Sequence, residues 1–201
     1  MLAADGHAIE AAASRPHLIG VSAAEANVRQ YDYNGASRVI ISPIQKHERE
    51  ALLGLAVSTG LFTSEDAEGL LGGVLDSLAA GELPEGHAAV AGRESYDGTA
   101  IGWAYYAPDP YAEGVWNVWW IGVHPVHHGH GVGQATLSSI EEAAAALGAR
   151  VIVIETSDQA PMARARSFYL KRGYTERGRI PDFYAEGDSK VIFSLSLAGS
   201  A

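Results

Sequence analysis

The run Val115-Trp116-Asn117-Val118-Trp119-Trp120-Ile121-Gly122-Val123, with His124-Pro125-Val126-His127-His128-Gly129-His130-Gly131-Val132-Gly133 directly after it, constrains the fold more than any other part of the chain. The first segment is rich in β-branched and aromatic residues and too short for a globular helix, which predicts a buried strand. Downstream, Leu137, Ile140, Ala144 and Leu147 recur at three- and four-residue steps, Glu141 and Glu142 lie off that stripe, and Gly148 stands where a helix would stop. That pattern predicts an amphipathic helix. Between the two, Gly129, Gly131 and Gly133 carry no Cβ, so the backbone can turn sharply and gather N–H groups at the positive end of the helix. The junction is therefore expected to bind an anion. Its glycine spacing does not give G-x-G-x-x-G, and no lysine followed by Ser or Thr completes a Walker loop, which disfavours both nucleotide-fold readings.

A chain of 201 residues suits one domain, and 47% hydrophobic with 19% charged residues is ordinary for a soluble globular protein. The absence of cysteine excludes a disulfide framework, a thiolate metal site and a cysteine nucleophile. A formal charge of −10 argues against nucleic acid as a partner and favours a cationic over an acidic ligand. No apolar run approaches the roughly 20 residues that span a bilayer. The first 36 residues lack the basic start and unbroken apolar stretch of a secretory signal. No membrane partner and a cytoplasmic location are expected.

Residues 1–36 show weak periodicity and end in Tyr31-Asp32-Tyr33-Asn34-Gly35, a turn-rich join. They are read as an N-terminal extension, with room for a short helix near 7–14, ahead of a domain over 37–199. A strand at about 38–42 meets Pro43, and a helix over about 45–58 follows. Thr63 or Ser64 caps a second helix, with Leu71, Val74, Leu75 and Leu78 as its buried stripe. Strands at 87–94 and 99–107 flank Asp97-Gly98, a hairpin signal. After the strand, loop and helix already described come a strand over 150–156, a helix over 161–172 and strands near 174–180 and 189–197. The expected class is α/β, a mixed and mostly antiparallel central sheet flanked by helices, in the order β-α-α-β-β-β-α-β-α-β-β.

Val-His-Pro-x-x-x-Gly-x-Gly-x-Gly from Val123 to Gly133, a helix, the strand Val151-Ile152-Val153-Ile154 and then Phe168-Tyr169-x-x-x-Gly173-Tyr174 together resemble the GNAT superfamily of acetyl-CoA-dependent N-acetyltransferases. The resemblance covers roughly 37–197 and is strongest between Trp116 and Tyr174. It implies acetyl-CoA as co-substrate and no metal. It implies that the backbone of Gly129, His130, Gly131, Val132, Gly133 and Gln134 wraps the pyrophosphate, with His128 where the family usually has Arg or Gln. Ile121 and Val123 would meet the acyl-bearing arm, the Val123 N–H polarising the thioester carbonyl from a bulged strand. Tyr169 would be the general acid. Many members carry an Asn seven residues before that tyrosine, where this chain has Met162. The loop between the first two helices borders the acceptor in the family, which brings in Gly60, Leu61 and Phe62. The family also forms dimers, so a homodimer is a partner state to consider.

Transfer of an acetyl group to an amine needs a polarised carbonyl, a proton for the leaving thiolate and a group that deprotonates the ammonium. A phenol, with pKa near 10, is protonated at neutral pH and can donate, so Tyr169 suits the acid role; otherwise it is a core aromatic on one face with Met162 and Ala165. Gly122 fits a bulge beside Val123, or relieves crowding beside Trp120. Glu155, at a strand end, is the leading carboxylate base, against a salt-bridged surface glutamate. Asn117, Asp182 and Tyr184 are candidate acceptor contacts, the last two in a loop after Pro181. His128 is expected to become charged when pyrophosphate binds. His124, His127, His128 and His130 raise a zinc site and metal-dependent hydrolysis, ranked last because no carboxylate supports them. The expected activity is N-acetylation of a small-molecule or peptide amine by direct attack in a ternary complex; the alternative is a non-catalytic acyl-CoA-binding regulatory module.

Overall fold

Eight strands form one mixed sheet in the order β1-β2-β3-β4-β5-β6-β8-β7 in the computed structural model, which describes residues 28–33 and 37–197. They are β1 (Arg29–Tyr33), β2 (Ser37–Pro43), β3 (Ala88–Arg93), β4 (Gly102–Pro108), β5 (Val115–Val123), β6 (Val151–Ser157), β7 (Thr175–Ala185) and β8 (Asp188–Ser196). Every neighbouring pair is antiparallel except β5 with β6. That parallel pair is joined through the helix α4 (Val132–Ala146), as a parallel crossover requires. The mixed, mostly antiparallel sheet flanked by helices is the class the sequence predicts.

The two faces carry different helices. On one, α4 and α5 (Ala163–Lys171) cover Ile41, Val90, Ala104, Tyr106, Trp116, Val118, Ile152, Ile154 and Phe193. On the other, α1 (Arg49–Ser58), α2 (Ser64–Ala67) and α3 (Gly73–Ala80) cover Ala89, Ala91, Trp103 and Trp120. With helices on both sides, β3 is buried at every position, and its Ala-Ala-Val-Ala-Gly segment has no polar face to show. Thr63 caps α2 through a reciprocal pair, its Oγ1 accepting from Asp66 N–H and the Asp66 carboxylate accepting from Thr63 N–H, both at 3.1 Å. The helix expected from Thr63 onward is not uniform: a π-helical turn over Glu68–Gly72 separates α2 from α3. Leu71 and Leu75 of its predicted stripe are buried. Among the described residues no helix is long and apolar enough to cross a membrane.

Other boundaries also differ from expectation. Arg29–Tyr33, placed by sequence in the extension, is an edge strand paired with β2. It is fixed to α4 by an Arg29–Glu142 ion pair. The helix considered near 7–14 lies outside the described residues. Asp97-Gly98 does not form a two-residue hairpin turn: Gly92 pairs with Gly102, and the connection between β3 and β4 is longer, turned by a Gly98 N–H to Ser95 carbonyl bond. Pro181 does not end β7. Because β7 is an edge strand, a missing N–H costs no ladder bond, and the strand runs on to Ala185.

Candidate functional site

The site begins where β5 and β6 part. Their parallel pairing runs from Val115↔Val151 to Val118↔Ile154 and stops there. At the same level β5 is irregular against β4: Tyr106 pairs with Val118 but Tyr105 with Trp120, so Trp119 is the extra, bulged residue. The bulge reverses facing along the strand. Trp116 and Val118 point toward α4 and α5, whereas Trp120 lies in the core under α1–α3. The bulge is therefore real but three residues earlier than Gly122. Gly122 answers instead to crowding: a Cβ there would stand 2.5 Å from Cζ2 of Trp120.

Beyond the bulge, β5 stays paired with β4 and has lost β6. His124 N–H donates to the Ile101 carbonyl at 2.9 Å. That bond makes Gly102 and Val123 a non-hydrogen-bonded pair, so the polar backbone groups of Val123, and of Ile121 two residues before it, point away from β4 into the opening. His128 Nε2 donates to the Val123 carbonyl at 2.9 Å, which leaves the Val123 N–H directed into the gap.

The gap is the floor of a cavity of about 500 Å³. Its lining includes Ile121, Gly122 and Val123 from β5, the loop and helix start from His127 to Gln134 except His130, residues of one side of α5 and the turn before it, and Thr59 and Leu61 after α1. Gly129 and Gly131 have φ of +86° and +83°, the left-handed turns that only glycine adopts freely, and they swing the backbone into the start of α4. The first helical bond of α4 is Ala135 N–H to Gly131 carbonyl, so the N–H groups of Val132, Gly133 and Gln134 precede it and remain available to an anion. Arg164, Lys171, His127 and His128 line the same cavity, and none of its lining residues is acidic. In a chain of net charge −10, that local reversal of sign marks an anion site.

Tyr169 lies at the cavity wall, packed on Phe193 and Tyr174 with centroid distances of 5.6 and 6.1 Å. Burial pushes its phenol well above the ordinary range, so it holds its proton throughout the physiological range. It comes from the α5 side of the sheet. Glu155 comes from the opposite side, as the first residue of β6 beyond the paired stretch. Its Oε2 pairs with Lys190 Nζ at 2.6 Å. Asn117 Nδ2 donates to Asp109 Oδ2 at 3.0 Å, and Phe62 packs on Trp120 at 5.5 Å while its neighbour Leu61 reaches the cavity.

Asp182 has φ of +52°, and its carboxylate accepts from Gly187 N–H at 2.7 Å; Tyr184 is exposed beside Phe183. His130 is exposed and does not line the cavity. The histidines do not converge on a metal: no group of potential ligands suited to an ion exists among the described residues. His127 lies 3.3 Å from Glu94, and His124 accepts from Val126 N–H at 3.4 Å. Leu61 lines the cavity, as expected for the loop after the first helix, and lining residues that sequence reasoning did not assign to the site include Thr59, Ser167, Phe168 and Lys171. Lys171 was within reach of it, as a basic residue of the predicted last helix.

The cavity thus joins a basic, N–H-rich end, an apolar middle of Ile121, Val123, Met162 and Phe168, and an end that passes through the sheet to Thr59 and Leu61. A long molecule with a phosphate group at one end and an apolar arm fits that sequence of surfaces. No curated protein matches the chain in sequence. Among solved structures, a GNAT-family chain from Desulfovibrio desulfuricans is 29% identical, with a TM-score of 0.69 over 80% of this chain and 99% of that one. An aminoglycoside 6'-N-acetyltransferase complexed with coenzyme A (16% identical, TM-score 0.62, 81% of this chain and 99% of the other) shares the fold. So does yncA of Salmonella typhimurium with its cofactor acetyl-CoA (18%, 0.61, 81% and 96%). The model of the acetyltransferase (GNAT) family matches residues 67–174, the span that holds the parted strands, the glycine loop and Tyr169, and the chain belongs to that family.

Proposed function

We propose that this protein is an acetyl-CoA-dependent N-acetyltransferase acting on the primary amine of a small molecule or peptide by direct attack in a ternary complex. One observation carries the reading: the unpaired β5 N–H groups, the free start of α4 and the protonated Tyr169 all open into one cavity that crosses the sheet. Acetyl-CoA supplies the acetyl thioester. The N–H groups of Gly129 and of Gly131 to Gln134, with His128, Arg164 and Lys171, hold its phosphates; Ile121, Met162 and Phe168 line its arm. The Val123 N–H faces the thioester oxygen and stabilises the charge that collects there, an interaction stronger in the transition state than in the ground state. Glu155 takes one proton from the acceptor ammonium and passes it to solvent. As the N–C bond forms and the C–S bond breaks, Tyr169 gives its proton to the departing sulfur and recovers one from the nitrogen. Asn117, Phe62, Asp182 and Tyr184 border the acceptor side.

The test couples calorimetry with acetyl-CoA to thiol release over a panel of amines. Tyr169→Phe keeps the ring and its packing, so the acetyl-CoA affinity should hold while kcat falls about a hundredfold, the lower range for loss of a general acid. Acetyl-CoA binding without thiol release from any amine would replace this reading with a non-catalytic acyl-CoA-binding module. Absence of binding would remove both.

A further inference from the structure

Helices α1–α3 cover only part of their face of the sheet: the core beneath them takes residues from β3, β4 and β5 and none from β6, β7 or β8. The remainder is a helix-free floor beside the parted strands. On β6 it consists of Val153, Glu155 and Ser157, and on β8 of Ser194, Ile192 and Lys190, paired across the two strands in that order. Trp119 borders it on the β5 side, 56% exposed. On the far side, four residues of β7 from Pro181 to Tyr184 are extruded between Ile180↔Lys190 and Ala185↔Asp188.

At the centre of this floor is an ion pair in an aromatic setting. Lys190 Nζ stands 2.6 Å from Glu155 Oε2, 3.7 Å from the Phe183 ring centroid and 5.9 Å from that of Tyr184. The lysine side chain is 13% exposed and the glutamate 38%. A bare carboxylate at the strand opening would draw any alkylammonium. This one is already neutralised, and an acceptor that brings only a positive charge must displace Lys190 and leave its ammonium half-desolvated without a counter-ion. An acceptor that brings only a negative charge strands Glu155 in the same way. A molecule with both charges can exchange partners, its ammonium replacing Lys190 at Glu155 and its anion replacing Glu155 at Lys190, so that no charge is left unpaired.

Resting on the acetyltransferase reading above, we infer that the acceptor is a zwitterion: a free amino acid or close analogue, whose ammonium is taken by Glu155 and whose carboxylate is taken by Lys190, with Trp119 and Phe183 flanking its side chain. Lys190 is then the residue that sets acceptor class. The transfer itself is the balanced step given above, in which the carboxylate of the acceptor takes no part.

The experiment uses the common free amino acids, each with its amide and its decarboxylated amine, in two readouts: calorimetric binding to protein saturated with coenzyme A, and thiol release with acetyl-CoA. At least one amino acid should exceed its amide and amine by about tenfold in affinity and in kcat/KM, the scale of one charge-assisted contact. Lys190→Met should abolish that preference, lowering the amino acid and raising the amide and amine; Lys190→Arg should keep the order. Amides or simple amines equal to or better than every amino acid, no amino acid binding at all, or a Lys190→Met protein that loses all three alike would overturn the inference. Amino-acid binding with this preference but no thiol release would overturn the acetyltransferase reading and leave this one standing.

Discussion

At the level of single residues, His128 shows how one side chain joins strand and loop. Its Nε2–H donates to the Val123 carbonyl at the end of β5 and so ties the loop to the strand. His128 shares the cavity lining with His127, Arg164 and Lys171. His128→Phe removes that tie, and coenzyme A affinity is expected to fall by roughly tenfold, the scale of one lost hydrogen bond. Calorimetry should show that loss in His128→Phe and not in His127→Phe; an unchanged affinity in the former would mean that the tie does not shape the phosphate end. The sequence places His128 at the head of the loop but not its bond to Val123, because which side of β5 loses its neighbour depends on where β6 turns away. Gly122 was readable for a simpler reason: an indole two residues away on the same strand face leaves no room for a Cβ.

At the level of elements, the cavity depends on α4 and α5 holding one angle to each other. Arg172, just past α5, donates to Glu141 Oε2 of α4 at 2.6 Å and to Ser138 Oγ at 3.1 Å, and Tyr174 Oη donates to Glu141 Oε1 at 3.1 Å. Burial raises the Glu141 carboxyl above its usual range, with Arg172 opposing that shift, so the pair is strongly interdependent. Arg172→Met should cost about 2 kcal/mol, the scale of hydrogen bonds to a charged group, and should raise the KM for acetyl-CoA by loosening α4 against α5. Adding Glu141→Gln to it should cost less than the sum of the two single changes in urea unfolding. Strict additivity would mean that the three groups act apart. The strand over 115–123, α4, β6 and α5 were legible in sequence because each carries a clean apolar period with a glycine or proline at its end. β1 was not: Arg29-Gln30-Tyr31-Asp32-Tyr33 carries charged and amide groups and no aliphatic residue, and it is a strand because β2 offers it an edge. The break between α2 and α3 was hidden as well, since Gly69, Gly72 and Gly73 permit a wider turn without announcing one.

For the molecule as a whole, one buried ion pair ties the far side of the sheet together. Arg93 on β3 makes two bonds of 2.6 Å to the Glu48 carboxylate, and a further pair to Ser42 Oγ at 3.0 Å and the Gly98 carbonyl at 2.9 Å. Burial alone would raise the Glu48 carboxyl, but the Arg93 bonds and the Gln45 N–H outweigh it and hold it below its usual value. A depressed folded-state value means the stabilisation is complete above the ordinary carboxylate range and is lost as pH falls through the folded value. Glu48→Gln should therefore lower stability by about 3 kcal/mol at neutral pH, with urea midpoints of the two proteins converging in acid; a constant gap down to low pH would contradict this. Forty-five positions separate the partners, which is why the pairing was invisible before the fold brought them together.

The four residues pushed out of β7 bear on how separate copies of the protein meet. β7 is an outer margin of the sheet, where a continuous row of donors and acceptors would invite a foreign strand to dock. Pro181 removes one donor, and the displaced stretch up to Tyr184 throws the remaining ones out of step. Polymer growth by strand addition finds no foothold along that border.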